Sequence, residues 1–490
     1  MEDQRPGGGI GGSGLEDLAP VLRVIDSHLE GSVALLQRLL RQRSVSATGE
    51  GVIECAHLTK ELVEAVGGTA RLVGDSKGNP VVCGVVGPQE QGTAELILYC
   101  LYDVVPADGT GWKYPPFGAT ITDDGRIVAR GACNTKGPLA AFLAAVDAYR
   151  RAGVRLPVRV RFVIEGEEEI GSPNLPARLA AIRSDLANGH FMFLPGVCPS
   201  GEEARVELML GFKGMVYAEA SARVRDHDVH SRTAPILYNA AWLLVHTLAR
   251  LATRDGEPLV PGFSEEATAP SDAAREMARQ LAERTDEDRL LALYGNPAGF
   301  IGGLRGQGLM ERYLFSPTLN ISGLHAGYTG AGSKTLNPAV ATAKLDIRLV
   351  PGMHHERTFE QVQEYIRAYG GGAVALRKLH GYNASVTSPE SPLVGALVNA
   401  CTFLGREVAV FPIAPGSAPW GVFPEVLGHR VDHVWQTCAE AQSRAHAPNE
   451  FITVEEFRAS AHLHAAVLHH CGRTQYTRQW GEAGVGRSEG

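Results

Sequence analysis

Apolar and polar positions follow two different rhythms along this chain, and the change of rhythm divides it. From about Leu15 to Val206, apolar residues recur every three to four positions around Val33–Leu40 and Ala56–Val66, which predicts amphipathic helices. The apolar run ELILYC (Glu95–Cys100) predicts a buried strand. A helix is expected over Pro138–Arg151, with Leu139, Phe142, Leu143 and Val146 on one face and Gly153 closing it, followed by a strand over Val158–Ile164. Strand, crossover helix and strand form a parallel unit, so chemistry should gather beyond the strands' C-terminal ends.

Around Gly211 the pattern changes. Met215–Val224 alternates as a half-exposed strand, helical stretches follow at Leu237–Leu251 and Asp272–Arg284, and a strand at Ala341–Leu349 precedes the helix start HHERTF. This predicts an inserted α+β domain at 207–382, within an α/β domain made of 15–206 and 383–478. The last helix opens with a capping box, Thr453 with Glu456. Its histidines, His462, His464, His469 and His470, alternate with Phe457, Leu463, Val467 and Leu468 and read as surface and core positions. Residues 1–14 and 479–490 are Gly-rich and read as solvated tails. No strand precedes the first, so it is no phosphate loop.

Composition narrows the classes. The 490 residues carry 46 basic and 54 acidic side chains, a net charge of −8, with 44% hydrophobic and 20% charged residues. That balance suits a large folded core and supplies no basic surplus for nucleic acid or an anionic membrane. No apolar run reaches the ~18 residues of a membrane span, and Met1 to Pro20 lacks the features of a signal peptide, so a cytoplasmic location is expected. The cysteines Cys55, Cys83, Cys100, Cys133, Cys198, Cys401, Cys438 and Cys471 are scattered, as buried thiols of a reducing compartment would be.

Three loops carry candidate chemistry. LYDVVPADGTGWKYPPF begins where the first central strand ends and puts Asp103 at the sheet edge. RGACNTKGP precedes the crossover helix, and EGEEEIGS leaves the next strand with Glu167, Glu168 and Glu169 in succession. Like charges clustered at a strand end are costly unless a proton or a cation lies between them, and a solvated acidic turn is the plain alternative.

Together with GFKGMVYAEA…HDVHS, GAGSKTLNP…AKLDIRLVPG, PGSAP and AHAPNE, these strings resemble, in order and over nearly the whole chain, the dizinc exopeptidase and deacylase family of carnosinase, aminoacylase, acetylornithine deacetylase and succinyl-diaminopimelate desuccinylase. The resemblance implies a mixed-sheet, three-layer α/β catalytic domain of the zinc-exopeptidase type, with an inserted α+β lid that forms a homodimer. It implies Glu168 as general base with Asp103 beside it. It also implies a lid histidine, His230, reaching across the dimer to an oxyanion, and Arg348, Asn320 and Thr335 facing a substrate carboxylate. Ser417 belongs to the partly kept PGS loop, whose usual Arg position is Ile413, and His446 and Asn449 lie in the substrate-facing AHAPNE string.

The metal ligands depart from the family. The histidine of its H-x-D motif is Leu101 here, the bridging aspartate is Asn134, and the later acidic position aligns with Pro195, leaving Glu169 and His446. Glu169, His446 and Asn134 are the residual candidates for a single zinc or manganese, to which a Cys133 thiolate could add, and amide oxygen is a weak zinc ligand. A metal lowers the pKa of bound water from 15.7 to about 7; without it roughly 12 kcal/mol returns against forming hydroxide, and general-base catalysis recovers about 10²–10⁴-fold. The expectation is therefore an enzyme without a cofactor, acting through Glu168 on the amide or a related acyl group of a small carboxylated, amino-acid-like molecule, with acyl transfer, cyclisation, elimination or isomerisation as open as hydrolysis. A residual single-metal dipeptidase and a non-catalytic binding protein are the alternatives. Cys133, beside Asn134, is the candidate nucleophile of a covalent variant, and Cys100 the lesser one.

Overall fold

A computed structural model describes residues 15–74, 78–200, 205–296, 298–370, 372–437 and 444–473. Residues 1–14 and 479–490, expected as tails, and Cys438 lie outside the described residues. The chain divides into two compact units, one of Met1–Leu208, Glu390–Ala409 and Val426–Gly490, the other of Met209–Pro389 and Val410–Glu425.

The first unit is α/β around a mixed sheet whose central order is Thr69–Val73, Val81–Val86, Arg159–Glu165, Glu95–Leu101, Phe191–Leu194, Asp432–Gln436. Arg159–Glu165, Glu95–Leu101, Phe191–Leu194 and Asp432–Gln436 run parallel, while Val81–Val86 is antiparallel to both of its neighbours. Glu95–Leu101 is buried along its whole length, as expected of a central strand covered on both faces. Its C-terminal end and those of its parallel neighbours feed the loops that carry Asp103 and Glu167–Glu169. The crossover helix, expected from Pro138, begins at Lys136 and runs to Arg151, with Arg150 and Arg151 in its last turn where the helix dipole favours cations.

The C-terminal helix Val454–Gly472 packs on that crossover helix, and its capping box forms in both directions between Thr453 and Glu456. His464 is fully buried, its ring 5.8 Å from both Phe142 and Phe193, His469 is buried, and His462 pairs with Asp26 at 2.9 Å. The histidine-rich face is thus core and surface. The seven described cysteines are buried.

The second unit is built on one long strand, Gly211–Arg223, flanked antiparallel by Val340–Leu349 and Val374–Tyr382, with Thr318–Ala326 outside Val340–Leu349. Alternate residues Val216, Ala218, Ala220 and Ala222, with Ala341, Ala343, Leu345 and Ile347, form one buried face, shared with Ala240, Leu244 and Leu248 of the helix Ala240–Leu248 and with Val362 and Ile366 of the helix His355–Tyr369. The helix expected over Leu237–Leu251 is shorter because Asn239 caps it, accepting from Ala241 and Trp242 N–H. The unit departs from the expected 207–382. Ser385–Val386 pairs antiparallel, and Ala414–Ser417 parallel, with the start of Gly211–Arg223, and this pairing draws 383–389 and 410–425 into it.

Candidate active site

In the first unit the loop after Glu95–Leu101 and the turn after Arg159–Glu165 are locked together by Asp103. Its fully buried carboxylate accepts the Glu168 N–H at 3.3 Å and the Glu169 N–H at 3.1 Å, which holds the short 3-10 turn Glu168–Ile170. Asp103 thus acts on the backbone that carries the two glutamates. Burial, and then the Glu169 charge, push its carboxyl up to about 7.

The three consecutive glutamates have different neighbours. Glu167 is buried and structural, accepting from Asn79 N–H at 2.7 Å and from Asn174 N–H and side-chain amide at 3.0–3.2 Å. Glu168 is half-buried. Desolvation first, then the charges of Glu169, Asp103 and Glu165, hold its carboxyl well above the ordinary range. Glu169 turns to Asn134, whose side-chain amide donates to Oε1 at 2.9 Å, and to His446, whose Nε2 lies 3.1 Å from Oε2. The Asn134 Nδ2 also lies 2.9 Å from His446 Nε2. The contact with Glu169 raises the His446 pKa against the effect of burial.

Below them Glu165, the last residue of its strand, accepts from the Tyr99 hydroxyl and from Ser172 Oγ at 2.9 Å. Burial pushes Glu165 up to about 8. Carboxyl groups crowded in this way hold protons near neutrality, the condition for general acid–base work.

The dizinc pair of the fold family does not fit these residues. Leu101 ends its strand 3% exposed and Pro195 is buried just past Phe191–Leu194, and neither brings a donor atom. Asn134 presents its NH2 to Glu169. Its oxygen would face a carboxylate oxygen at the same distance, so the amide hydrogens occupy the direction a shared cation would need. Among the described residues no three His, Cys, Asp or Glu side chains are grouped to hold a metal ion.

Other expected site residues have partners within the fold. The side chain of Asn449, expected to face substrate, holds the loop 111–113, accepting from Lys113 N–H at 2.6 Å and donating to the Gly111 carbonyl at 3.0 Å. Cys133, the candidate nucleophile, is fully buried, as is Cys100, whose Sγ lies 3.4 Å from Thr135 Oγ1, so neither thiol faces solvent.

In the second unit, the exposed His230 caps the turn Ser231–Thr233 by accepting the Arg232 N–H on Nδ1, and the Ser231 N–H donates to the Thr335 carbonyl. Neutral His230 in that arrangement carries its proton on Nε2. Arg348, expected to face a substrate carboxylate, pairs with Asp346 in this structure, through a hydrogen bond from Nη2 at 2.9 Å and an ion-pair contact of Nε at 2.8 Å, and Asn320 lies opposite Asp346 in the neighbouring strand. Ser417 Oγ donates to the Gly214 carbonyl at 3.0 Å.

Sequence reasoning missed Glu450 and Arg130. Glu450 is fully buried and accepts from Gly131, Cys133 and Asn134 N–H and from Arg130. The string AHAPNE contained Glu450, but nothing local showed that its carboxylate serves a loop more than 300 residues away.

Residues 97–470 match the model of peptidase family M20/M25/M40. Among curated relatives, a Cys-Gly metallodipeptidase of Schizosaccharomyces pombe is 28% identical over 64% of this chain and 66% of its own length. The Beta-Ala-His dipeptidase of Homo sapiens is 29% identical over 59% of this chain and 56% of its own. The matched region thus spans less than two thirds of these relatives. Of solved structures, an M20 family metallo-carboxypeptidase from Sulfolobus solfataricus is 32% identical, covers 90% of this chain and 99% of its own, and superposes with a TM-score of 0.83. Human carnosine dipeptidase 1, at 23% identity and a TM-score of 0.77 over 93% of this chain and 99% of its own, shares the fold.

Proposed function

The chain belongs to peptidase family M20/M25/M40, and on that premise we propose that it is a dipeptidase-like enzyme that acts on an amide or related acyl bond without a metal, with Glu168 as its acid–base group, by hydrolysis or by acyl transfer, cyclisation, elimination or isomerisation. One observation carries this reading: the Asn134 amide occupies the corner between Glu169 and His446, donating to Glu169, while Glu168 stands on the same turn with a carboxyl that burial and its acidic neighbours hold well above the ordinary range. Ionised, Glu168 is a stronger base than an ordinary carboxylate; neutral, it donates a proton to a leaving amine. The substrate class is a small amino-acid-like molecule with an amide or related acyl bond and a free carboxylate, as in the dipeptides for which the relatives are named.

The test uses purified full-length protein, Cys-Gly and β-Ala-His dipeptides and a panel of N-acyl amino acids, with and without EDTA, alongside elemental analysis. Turnover that persists in EDTA and falls by about 10²–10⁴-fold in Glu168→Gln is expected. One equivalent of tightly bound zinc or manganese with EDTA-sensitive turnover would instead establish the single-metal reading, which the surviving contact of Glu169 with His446 favours. Ligand-dependent thermal stabilisation with no turnover would make the protein a binding relative of the family.

Two further parts belong to the proposal. The scattered, buried cysteines support a reducing, cytoplasmic setting. The exposed apolar side chains Ile236 (80%), Tyr238 (77%) and Trp242 (62%) of the second unit support a homodimer through that unit. Sedimentation of the wild type against Trp242→Glu checks the dimer, which the variant should weaken.

A further inference from the structure

Glu450 sits at the start of the short strand Phe451–Thr453, which pairs with Arg126–Val128, and its own carbonyl accepts the Ala129 N–H at 3.0 Å. From there the side chain enters the loop Gly131–Asn134. Oε1 accepts the Cys133 and Asn134 N–H groups, both at 2.9 Å, and Oε2 accepts the Gly131 N–H at 3.1 Å and Arg130 Nη1 at 2.8 Å. A carboxylate offers about four acceptor positions, and all are used. Three N–H groups of one short loop converge on one anion, so the loop is folded around the charge as a nest is around its ion. Gly131 makes the turn with φ +85°, and a Cβ there would lie 2.9 Å from Val104.

Arg130 extends the arrangement to the other side. Its Nη2 donates to the His446 carbonyl at 3.2 Å and its Nη1 to that of Ala447 at 3.4 Å, while its guanidinium lies 5.2 Å from the Trp112 ring centre. One buried ion pair, Arg130 with Glu450, therefore touches the backbone of both residues whose side chains meet Glu169.

We propose that Glu450, through Arg130 and the amides of Gly131, Cys133 and Asn134, is the positioning residue of the active site, holding Asn134 and His446 in contact with Glu169. Glu450 touches no reacting atom. Its consequence for catalysis rests on the function proposed above; its consequence for geometry does not.

Glu450→Gln keeps the shape and replaces one oxygen by NH2. Whichever way the amide turns, that NH2 faces either the Cys133 and Asn134 N–H groups or the Gly131 N–H and the Arg130 guanidinium, donor against donor. The test measures hydrogen exchange of the full chain over 130–135, a crystal structure of the variant, and kcat and KM on whichever dipeptide the wild type turns over. Expected results are exchange at least tenfold faster over 130–135 with the central strands unchanged, Asn134 Nδ2 more than 3.5 Å from Glu169, and kcat at least tenfold lower with KM within twofold. In an Asn134→Ala background the same substitution should lower kcat by less than it does in the wild type, since the part of its effect that runs through Asn134 is already gone.

An unchanged Asn134–Glu169 contact overturns the proposal, as does a full additional loss of kcat in the double variant. A wild type inactive on every amide removes the proposed function, and the crystal structure and exchange still decide the positioning. Should Glu450→Gln not fold, Arg130→Lys keeps a charge at Glu450 but loses the arm to the His446 carbonyl. Faster exchange over 444–447 then supports the proposal, and unchanged exchange there overturns it.

Discussion

Replacing Asp103 by Asn should change the sign of its effect on stability between acid and alkaline pH. In the wild type this buried carboxyl is pushed up to about 7, from an ordinary 3.8 in the unfolded chain. A carboxyl whose pKa is raised on folding favours the folded state fully below pH 3.8, and that advantage is lost as pH rises through 7. The span is about 3 pH units at 1.36 kcal/mol each, or roughly 4 kcal/mol lost by pH 8. Asn cannot ionise and escapes the loss. Its NH2 must, however, face one of the two N–H groups of Glu168 and Glu169 that Asp103 accepts. An opposed buried donor costs about 1–2 kcal/mol at any pH. Asp103→Asn should therefore be less stable than wild type by about 1–2 kcal/mol near pH 4, equal near pH 5, and more stable by about 2–3 kcal/mol at pH 8. Urea unfolding at pH 4, 5, 6, 7 and 8, followed by circular dichroism, measures the crossing. A variant less stable than wild type at pH 8, or a difference independent of pH, would refute the reasoning that places an ionisable, desolvated carboxyl at this point.

Three other outcomes follow from particular contacts. Leu101→His, Asn134→Asp and Pro195→Asp together put donors at the positions that the resemblance matches to the family's ligands and should confer zinc binding, read by elemental analysis after dialysis; no bound zinc would count first against the match of Pro195. Burial lowers the His464 pKa to about 3, so the unfolded chain takes up a proton below about 6.5 that the folded chain refuses, and stability is lost as pH falls from 6.5 towards 3. From pH 6.5 to 5 this amounts to about 2 kcal/mol, which His464→Leu should abolish in urea unfolding; an equal acid sensitivity in the variant would show that His464 is not its source. Asn449→Gly leaves the left-handed backbone at φ +61° unstrained but removes two bonds to the loop 111–113, at a cost of about 1–3 kcal/mol. Hydrogen exchange over 109–114 should quicken, and unchanged protection there would show that another contact holds the loop.

Much of the first unit was legible because its signals are local. The apolar run of Glu95–Leu101, the amphipathic period before Arg151 and the capping box at Thr453 each depend on neighbours in the chain, and each appears within a few residues of where its pattern sets it. The return of 410–425 to the second unit was not legible, since it depends on Ala414–Ser417 pairing with a strand some 200 residues earlier, beside Phe212 and Lys213.

The sequence by itself determined the family, the placing of Glu168 and Glu169 at the end of a parallel strand, and the identity of Leu101, Asn134 and Pro195 at the positions that the resemblance matches to metal ligands. These follow from residue identity and order. Only the tertiary structure decided what each group does there. Asp103 accepts the backbone N–H groups of Glu168 and Glu169, Asn449 grips a loop, Cys133 is sealed from solvent, and the Asn134 amide meets both Glu169 and His446. The direction of a hydrogen bond and the burial of a charge depend on atoms brought together across more than 300 residues, as when Glu450 closes on Gly131, Cys133 and Asn134. Chain order carries no record of such distances; packing creates them.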